Sequence, residues 1–127
     1  FFNMLGYKKK LGAWGEELAL KYFEEKGYRL VEKNWHASGQ KQIGEIDLIV
    51  GLGQDLVFVE VKTRTTKEFG FAENAVDRFK KEKISRAINQ FIFLHEQYCD
   101  HYPRFDILVV EIFGLTPRFE HFSNVEL

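Results

Sequence analysis

The chain has 127 residues, the size of one domain able to withdraw roughly two thirds of its unfolded surface from water. A hydrophobic share of 45% and a charged share of 29% exclude a disordered tail. The longest purely apolar runs, residues 56–59 and 107–110, have strand length, far short of the ~20 residues a transmembrane helix needs, so no membrane partner is expected. The net charge of −1 excludes a uniformly basic phosphate binder. Residues 1–10 show no apolar core of signal-peptide length and no small-residue cleavage site, so export is not expected, and Met4 is a candidate start. The single cysteine, Cys99, cannot form an intrachain disulfide, which fits a reducing cytosol and a cytoplasmic location. The expected layout is a partly disordered N-terminal segment at 1–10 and one domain at 11–127.

Leu11, Trp14, Gly15, Leu18, Ala19, Tyr22 and Phe23 share one side of a 3.6-residue wheel, which predicts an amphipathic helix stopped by Gly27. Residues 28–35 alternate as a strand does, and the Gly-, Ser-, Gln- and Lys-rich residues 38–42 predict an exposed loop. Two stronger strands follow at 43–50 and 56–63, joined by Gly51-Leu52-Gly53-Gln54-Asp55, which has hairpin chemistry. A Gly-containing connection at 67–74 leads to a second helix at 76–98, with Asn74 or Asp77 as N-cap. Its buried stripe is Ile84, Ala87, Ile88, Phe91, Ile92 and Tyr98. Pro103 opens a strand at 104–113, and Gly114-Leu115-Thr116-Pro117 turns the chain into a last one at 118–123. The order helix, three strands, helix, two strands predicts an α/β domain, one sheet with helices against it.

Alternation aims Glu45 and Asp47 to one side of their strand and Ile46 and Leu48 to the other. On the next strand Phe58, Glu60 and Lys62 share a face, opposite Val57, Val59 and Val61. Pairing of the two strands brings Asp47 and Glu60 together. Two carboxylates near the ends of apolar strands repel and are poorly solvated unless a cation compensates. Mg²⁺ suits them, being hard, oxygen-seeking and slow to give up its waters. Lys62 can orient or help deprotonate a water, or offset charge on a phosphate. From spacing alone, a cross-strand salt bridge explains Glu60-x-Lys62 as well. Glu16, at the border of the first helical stripe, and Lys80, extending the second toward the sheet, can add an acid and a cation. Each alone also fits a snorkelling surface residue.

Residues 62–86 carry eight basic side chains against four acidic ones, locally +4. Arg64, Lys67, Lys80, Lys81 and Lys83 are therefore the expected nucleic-acid face, and a solvated helix face is the plain alternative. Weaker signals lead elsewhere. His95, Cys99 and His101 read as a helix flank and terminus rather than a zinc site. Gly51-x-Gly53 is a turn, and the thirteen Phe residues mostly follow the buried periodicities. Arg104 and Asp106 fit either a buttress for the site or a salt bridge within a strand.

Gly12, Gly15-Glu16 and Ala19, then Gly27-Tyr28, Asn34-Trp35, Gly44-Glu45-Ile46-Asp47-Leu48-Ile49, Phe58-Val59-Glu60-Val61-Lys62 with Arg64, Phe69-Gly70, Ala75-Val76, Lys80 and Arg104-Phe105-Asp106 form an ordered set. In these the chain resembles the bacterial YraN family, also called UPF0102. That family is placed in the PD-(D/E)xK nuclease superfamily, similar to archaeal Holliday-junction resolvases. The resemblance implies a restriction-endonuclease-like core, a mixed sheet flanked by two helices. It also implies Glu16, Asp47, Glu60 and Lys62 as the catalytic signature, with Lys80 accessory. One departure is His36, where the family more often has Arg.

The first expectation is a metal-dependent endonuclease that hydrolyses phosphodiesters, with DNA of branched or repair type among its candidate substrates. Asp47, Glu60 and the Val61 carbonyl would bind Mg²⁺ or Mn²⁺, Lys62 would position the water, and Glu16 would assist through metal or water. A rival of another class is a nucleic-acid-binding or scaffolding module that keeps the fold without turnover. A purely structural partner-binding domain is the third, and a homodimer stays open in each case.

Overall fold

The computed structural model describes residues 4–37, 44–65 and 78–127. The expected caps Asn74 and Asp77, the loop at 38–42, the connection at 67–74 and Lys67 lie outside the described residues. Helix α1 spans Met4–Glu25, strands β1 Arg29–His36, β2 Glu45–Leu52 and β3 Asp55–Arg64, helix α2 Arg78–Leu94, and strands β4 Tyr102–Glu111 and β5 Arg118–Phe122. The sheet keeps chain order, β1-β2-β3-β4-β5. All neighbours are antiparallel except β3 and β4, which run parallel. That parallel pair needs a crossover, and α2 lies within it.

The sheet is covered on both faces. On one, Phe58, Ile107 and Val109 pack with Ile84, Ala87, Ile88 and Phe91 of α2. On the other, Val57, Val59, Leu108 and Val110 meet Ala19 and Phe23 of α1. Central strands with two buried faces read as continuous apolar runs, which accounts for residues 56–59 and 107–110. Phe23 and Phe91 are essentially inaccessible. Burial of a side chain of that size contributes about 1.5–3 kcal/mol each. Among the described residues no helix is long and apolar enough to cross a membrane.

Gly27 stops α1 as the sequence predicts, and the reason is visible in its backbone. At φ +93° it allows Tyr28 N to donate to Phe23 O and its own N to donate to Glu24 O, each at 3.0 Å. This is a Schellman ending, sealed by the edge-on contact of Tyr28 with Phe23 at 5.3 Å. Gly53, at φ +58°, makes the two-residue β2–β3 turn. Three expectations are corrected. α1 begins at Met4 rather than Leu11. Trp14, assigned to its buried stripe, is 47% exposed. α2 ends at Leu94, and Glu96–Tyr98 forms a separate 3-10 turn. There the His95 ring stacks on Phe91 with its Nδ1 2.7 Å from Phe91 O, and the His95 amide donates to both Phe91 O and Ile92 O, at 3.0 and 3.3 Å, as the helix tightens at its end.

Candidate functional site

The site sits where β2 and β3 part. Their ladder runs from Leu52↔Asp55 to Leu48↔Val59 and goes no further, so Glu45, Ile46 and Asp47 stay with the sheet through β1. The Val61 amide, beyond the end of the β2 ladder, donates instead to Asp47 Oδ2 at 2.9 Å. Asp47 thus holds the fork open and is fixed by it. The expected alternation breaks at the same place. Ile46 packs in the α2-side core and Leu48 in the α1-side core, although the two should share a face. Asn34, across from this point on β1, has φ +48°, so the irregularity involves both strands.

Two glycines bring the helices onto the fork. A Cβ on Gly15 would run into Thr63 Oγ1 and lie 3.1 and 3.2 Å from Thr63 Cβ and Cγ2. Only a residue without a side chain lets α1 approach β3 that closely, and the next residue is Glu16. The Asn34 side-chain nitrogen lies 3.3 Å from both Glu16 carboxylate oxygens in the amide orientation that satisfies both groups. Gly44, at φ +126°, would place a Cβ 2.7 Å from Lys83 O. Its absence lets α2 pack against the start of β2.

Lys80 Nζ donates to Glu60 Oε1 at 2.7 Å, and Lys62 Nζ lies 3.7 Å from the same oxygen. Glu60 is 8% exposed. Asp47 and Glu60 form the floor shared by two lobes of one cleft. A lobe of about 410 Å³ adds Gly44, Glu45, Phe79, Lys80, Lys83 and Ile84. Another of about 570 Å³ is bounded by Tyr7, Glu16, Lys62 and Arg64. Each is of nucleotide-accommodating size.

The electrostatics are those of crowded acids. Burial, then the Glu60 charge, pushes the Asp47 carboxyl up to about 8 against the pull of the Val61 hydrogen bond. Burial raises Glu16 too, with Glu45 and Glu60 adding to it, while Asn34 and Lys33 oppose. Burial and then the Lys80 charge lower Lys62. For Lys80 burial works downward as well, but its bond to Glu60 wins and the net shift is upward. The two neighbouring lysines are thereby shifted in opposite directions.

A hard divalent cation fits this donor set. It would relieve the Asp47–Glu60 repulsion, and the carbonyl of Val61, next to Glu60 on β3, would offer a third oxygen. Among the described residues no three His, Cys, Asp or Glu side chains converge as a metal cluster.

Of the residues singled out from sequence, Glu16, Asp47, Glu60, Val61, Lys62, Arg64, Lys80 and Lys83 line the cleft. Lys81 does not. It lies with Arg78, Glu82 and Arg86 on a separate surface. Arg104 and Asp106 also stand apart. Arg104 donates to Asp106 through Nε and Nη2 at 3.0 and 3.1 Å and to Tyr28 at 2.9 Å. The His121 Nε2 to Asp106 distance is 2.7 Å, and Asn124 N donates to Asp106 at 2.9 Å. Their recorded partners contain no member of the fork, which favours the salt-bridge reading over the buttress. His36 lies 3.9 Å from Glu45 and ties β1 to β2. Sequence reasoning missed Tyr7, Phe79 and the grip of Asn34 on Glu16. An aromatic outside every buried stripe is the signal that marks Phe79.

Comparison with known proteins places this geometry in a family. The model of "Uncharacterised protein family UPF0102" matches residues 15–110. A UPF0102 protein of Geobacter metallireducens is 38% identical over 93% of this chain and 93% of its own length. One from Caldanaerobacter subterraneus is 44% identical over 81% of this chain and 80% of its own. Another, from Acinetobacter baumannii, is 39% identical over 79% and 72%. The matched span runs from the glycine that admits α1 to the end of β4's buried run, and the chain belongs to the UPF0102 family.

Proposed function

We propose that the chain is a divalent-metal-dependent endonuclease with a restriction-endonuclease-like core, hydrolysing phosphodiesters of nucleic acid. The carrying observation is the fork itself, where the half-buried Asp47 and the buried Glu60 share a cleft floor with Lys62 and Lys80. Asp47, Glu60 and the Val61 carbonyl are the groups that would hold Mg²⁺ or Mn²⁺. When bound, the ion supplies Lewis acidity toward a phosphoryl oxygen.

The rest is done by the chain. Lys62, eased toward neutrality, orients the attacking water and takes its proton as the water oxygen bonds to phosphorus. Lys80, kept charged, offsets the negative charge that develops on the phosphoryl group. Glu16, steadied by Asn34, assists at the water from the α1 side. The phosphorus bond to the 3′ oxygen breaks and that oxygen takes a proton from solvent, giving 5′-phosphate and 3′-hydroxyl ends.

A second reading is favoured by one contact. Lys80 already neutralises Glu60 without any metal, an arrangement that suits a binding or scaffolding module of the same fold. Incubation of the wild type and Asp47→Ala with single-stranded, linear duplex and four-way-junction substrates, with and without Mg²⁺ or Mn²⁺, separates the two. Metal-dependent cleavage by the wild type and none by the variant is expected. Binding without cleavage under every condition would overturn the enzyme and leave the module.

A further inference from the structure

We infer that the cleft receives an unpaired nucleotide beside the scissile phosphate, its base stacked on Phe79 and its phosphate against Lys83, so that the substrate is single-stranded at the cut. This rests on the phosphodiesterase reading above and narrows its substrate. Phe79 is 76% exposed and stands outside both core clusters. The sheet-facing positions of α2 are Ile84, Ala87, Ile88 and Phe91, so packing does not require a phenyl ring at 79. Yet Phe79 lines the same lobe as Asp47, Glu60, Lys80 and Lys83.

Residues four apart on a helix are neighbours, with Cβ atoms about 5–6 Å apart. Phe79 and Lys83 therefore present an aromatic face and a cation side by side, on the scale that separates base from phosphate within one nucleotide. Aromatic rings beside a basic groove are the means by which proteins hold single strands. In a duplex both faces of each base are covered by its neighbours, so a phenyl ring can stack only on a base outside the stack. The other lobe repeats the pairing of chemistries. Tyr7, 45% exposed, lines it together with Arg64, so a strand crossing Asp47 and Glu60 meets an aromatic and a cation on each side.

The test is Phe79→Ala, with Phe79→Trp as the conservative partner, read by anisotropy of labelled 12-nucleotide DNA and RNA strands and of a DNA duplex without divalent metal. The single strands also carry 2-aminopurine, whose fluorescence falls on stacking. Single-strand binding should weaken on the order of 10- to 100-fold in Phe79→Ala, and the fluorescence quench should vanish. Phe79→Trp should restore both, and duplex binding should stay unchanged. The DNA and RNA arms identify which strand chemistry is held. Unaltered single-strand binding by Phe79→Ala, or equal losses on strand and duplex, would overturn the inference while the endonuclease reading stands. A wild type that binds no nucleic acid overturns both.

Discussion

Two aspartates of the sheet, Asp106 buried and Asp47 half-buried, have opposite fates. Asp106 is fully inaccessible yet receives hydrogen bonds from Arg104, His121 and the Asn124 amide. Burial alone would raise its carboxyl, but those donors outweigh it and hold the group below its ordinary value. Asp47 accepts one recorded bond, from Val61, and faces Glu60, Glu16 and Glu45, so burial and like charge drive it up to about 8. The difference separates architecture from chemistry. A carboxylate whose donors are supplied by its own fold has nothing left to do, whereas one left under-supplied among other acids is prepared for a cation.

The largest effect should come from breaking the well-supplied partner. Asp106→Ala strands Arg104 and His121 and should lower stability by about 3–5 kcal/mol, measured by urea unfolding. A loss below about 1 kcal/mol would show that the network is ornamental and dissolve the contrast.

Lys62→Ala addresses the other side. If Lys62 handles the attacking water, single-turnover cleavage should fall about 10²-fold, equivalent to about 2.7 kcal/mol, with melting and metal binding nearly unchanged. A variant that melts earlier but cleaves at the wild-type rate would reduce Lys62 to a salt-bridge partner of Glu60.

The smallest effect is that of Mg²⁺ on the pH dependence of stability, which the two aspartates should shape from opposite ends. Asp106, with its lowered carboxyl, contributes stability above its unfolded value of 3.8 that is lost as pH falls through the folded one. Asp47, raised, contributes stability that is complete below 3.8 and declines as pH rises through about 8. Asp47→Asn should flatten the alkaline limb alone. Mg²⁺ should flatten it too, by roughly 1.4 kcal/mol at a tenfold excess over Kd, and more at pH 9 than at pH 6. Thermal melts across pH that show the same Mg²⁺ shift in Asp47→Asn would remove Asp47 from the metal site.

Much of this was legible in the sequence because it depended on local rules. Gly27 ends α1 through backbone geometry that only its immediate neighbours supply, and the core faces of β3 follow simple alternation. The approach of Asp47 to Glu60 was legible as well. Its cause was not, because alternation presumes an unbroken ladder and Asp47 lies where the ladder ends. The phase change between Ile46 and Leu48 follows from that break together with the positive φ of Asn34. Arg104 and Asp106 were seen as a pair, but His121 and Asn124, which decide their role, are 15 and 18 residues further on. Phe79 escaped because periodicity finds what is buried.

The parallel pairing of β3 with β4 has a consequence for how the site is assembled. Asp55 lies beside Tyr102, so the first contact of that pair closes a loop of 47 residues, while β1, β2 and β3 form a local meander. Local pairings form early and distant ones late, since loop closure must be met before its contacts are gained. Asp47 and Glu60 both belong to the meander, and Lys80 arrives only with α2 inside the late loop. Glu60 and Lys62 therefore come together with Asp47 before Lys80 arrives, and in that interval Lys62 is the one lysine of the pair beside the acids.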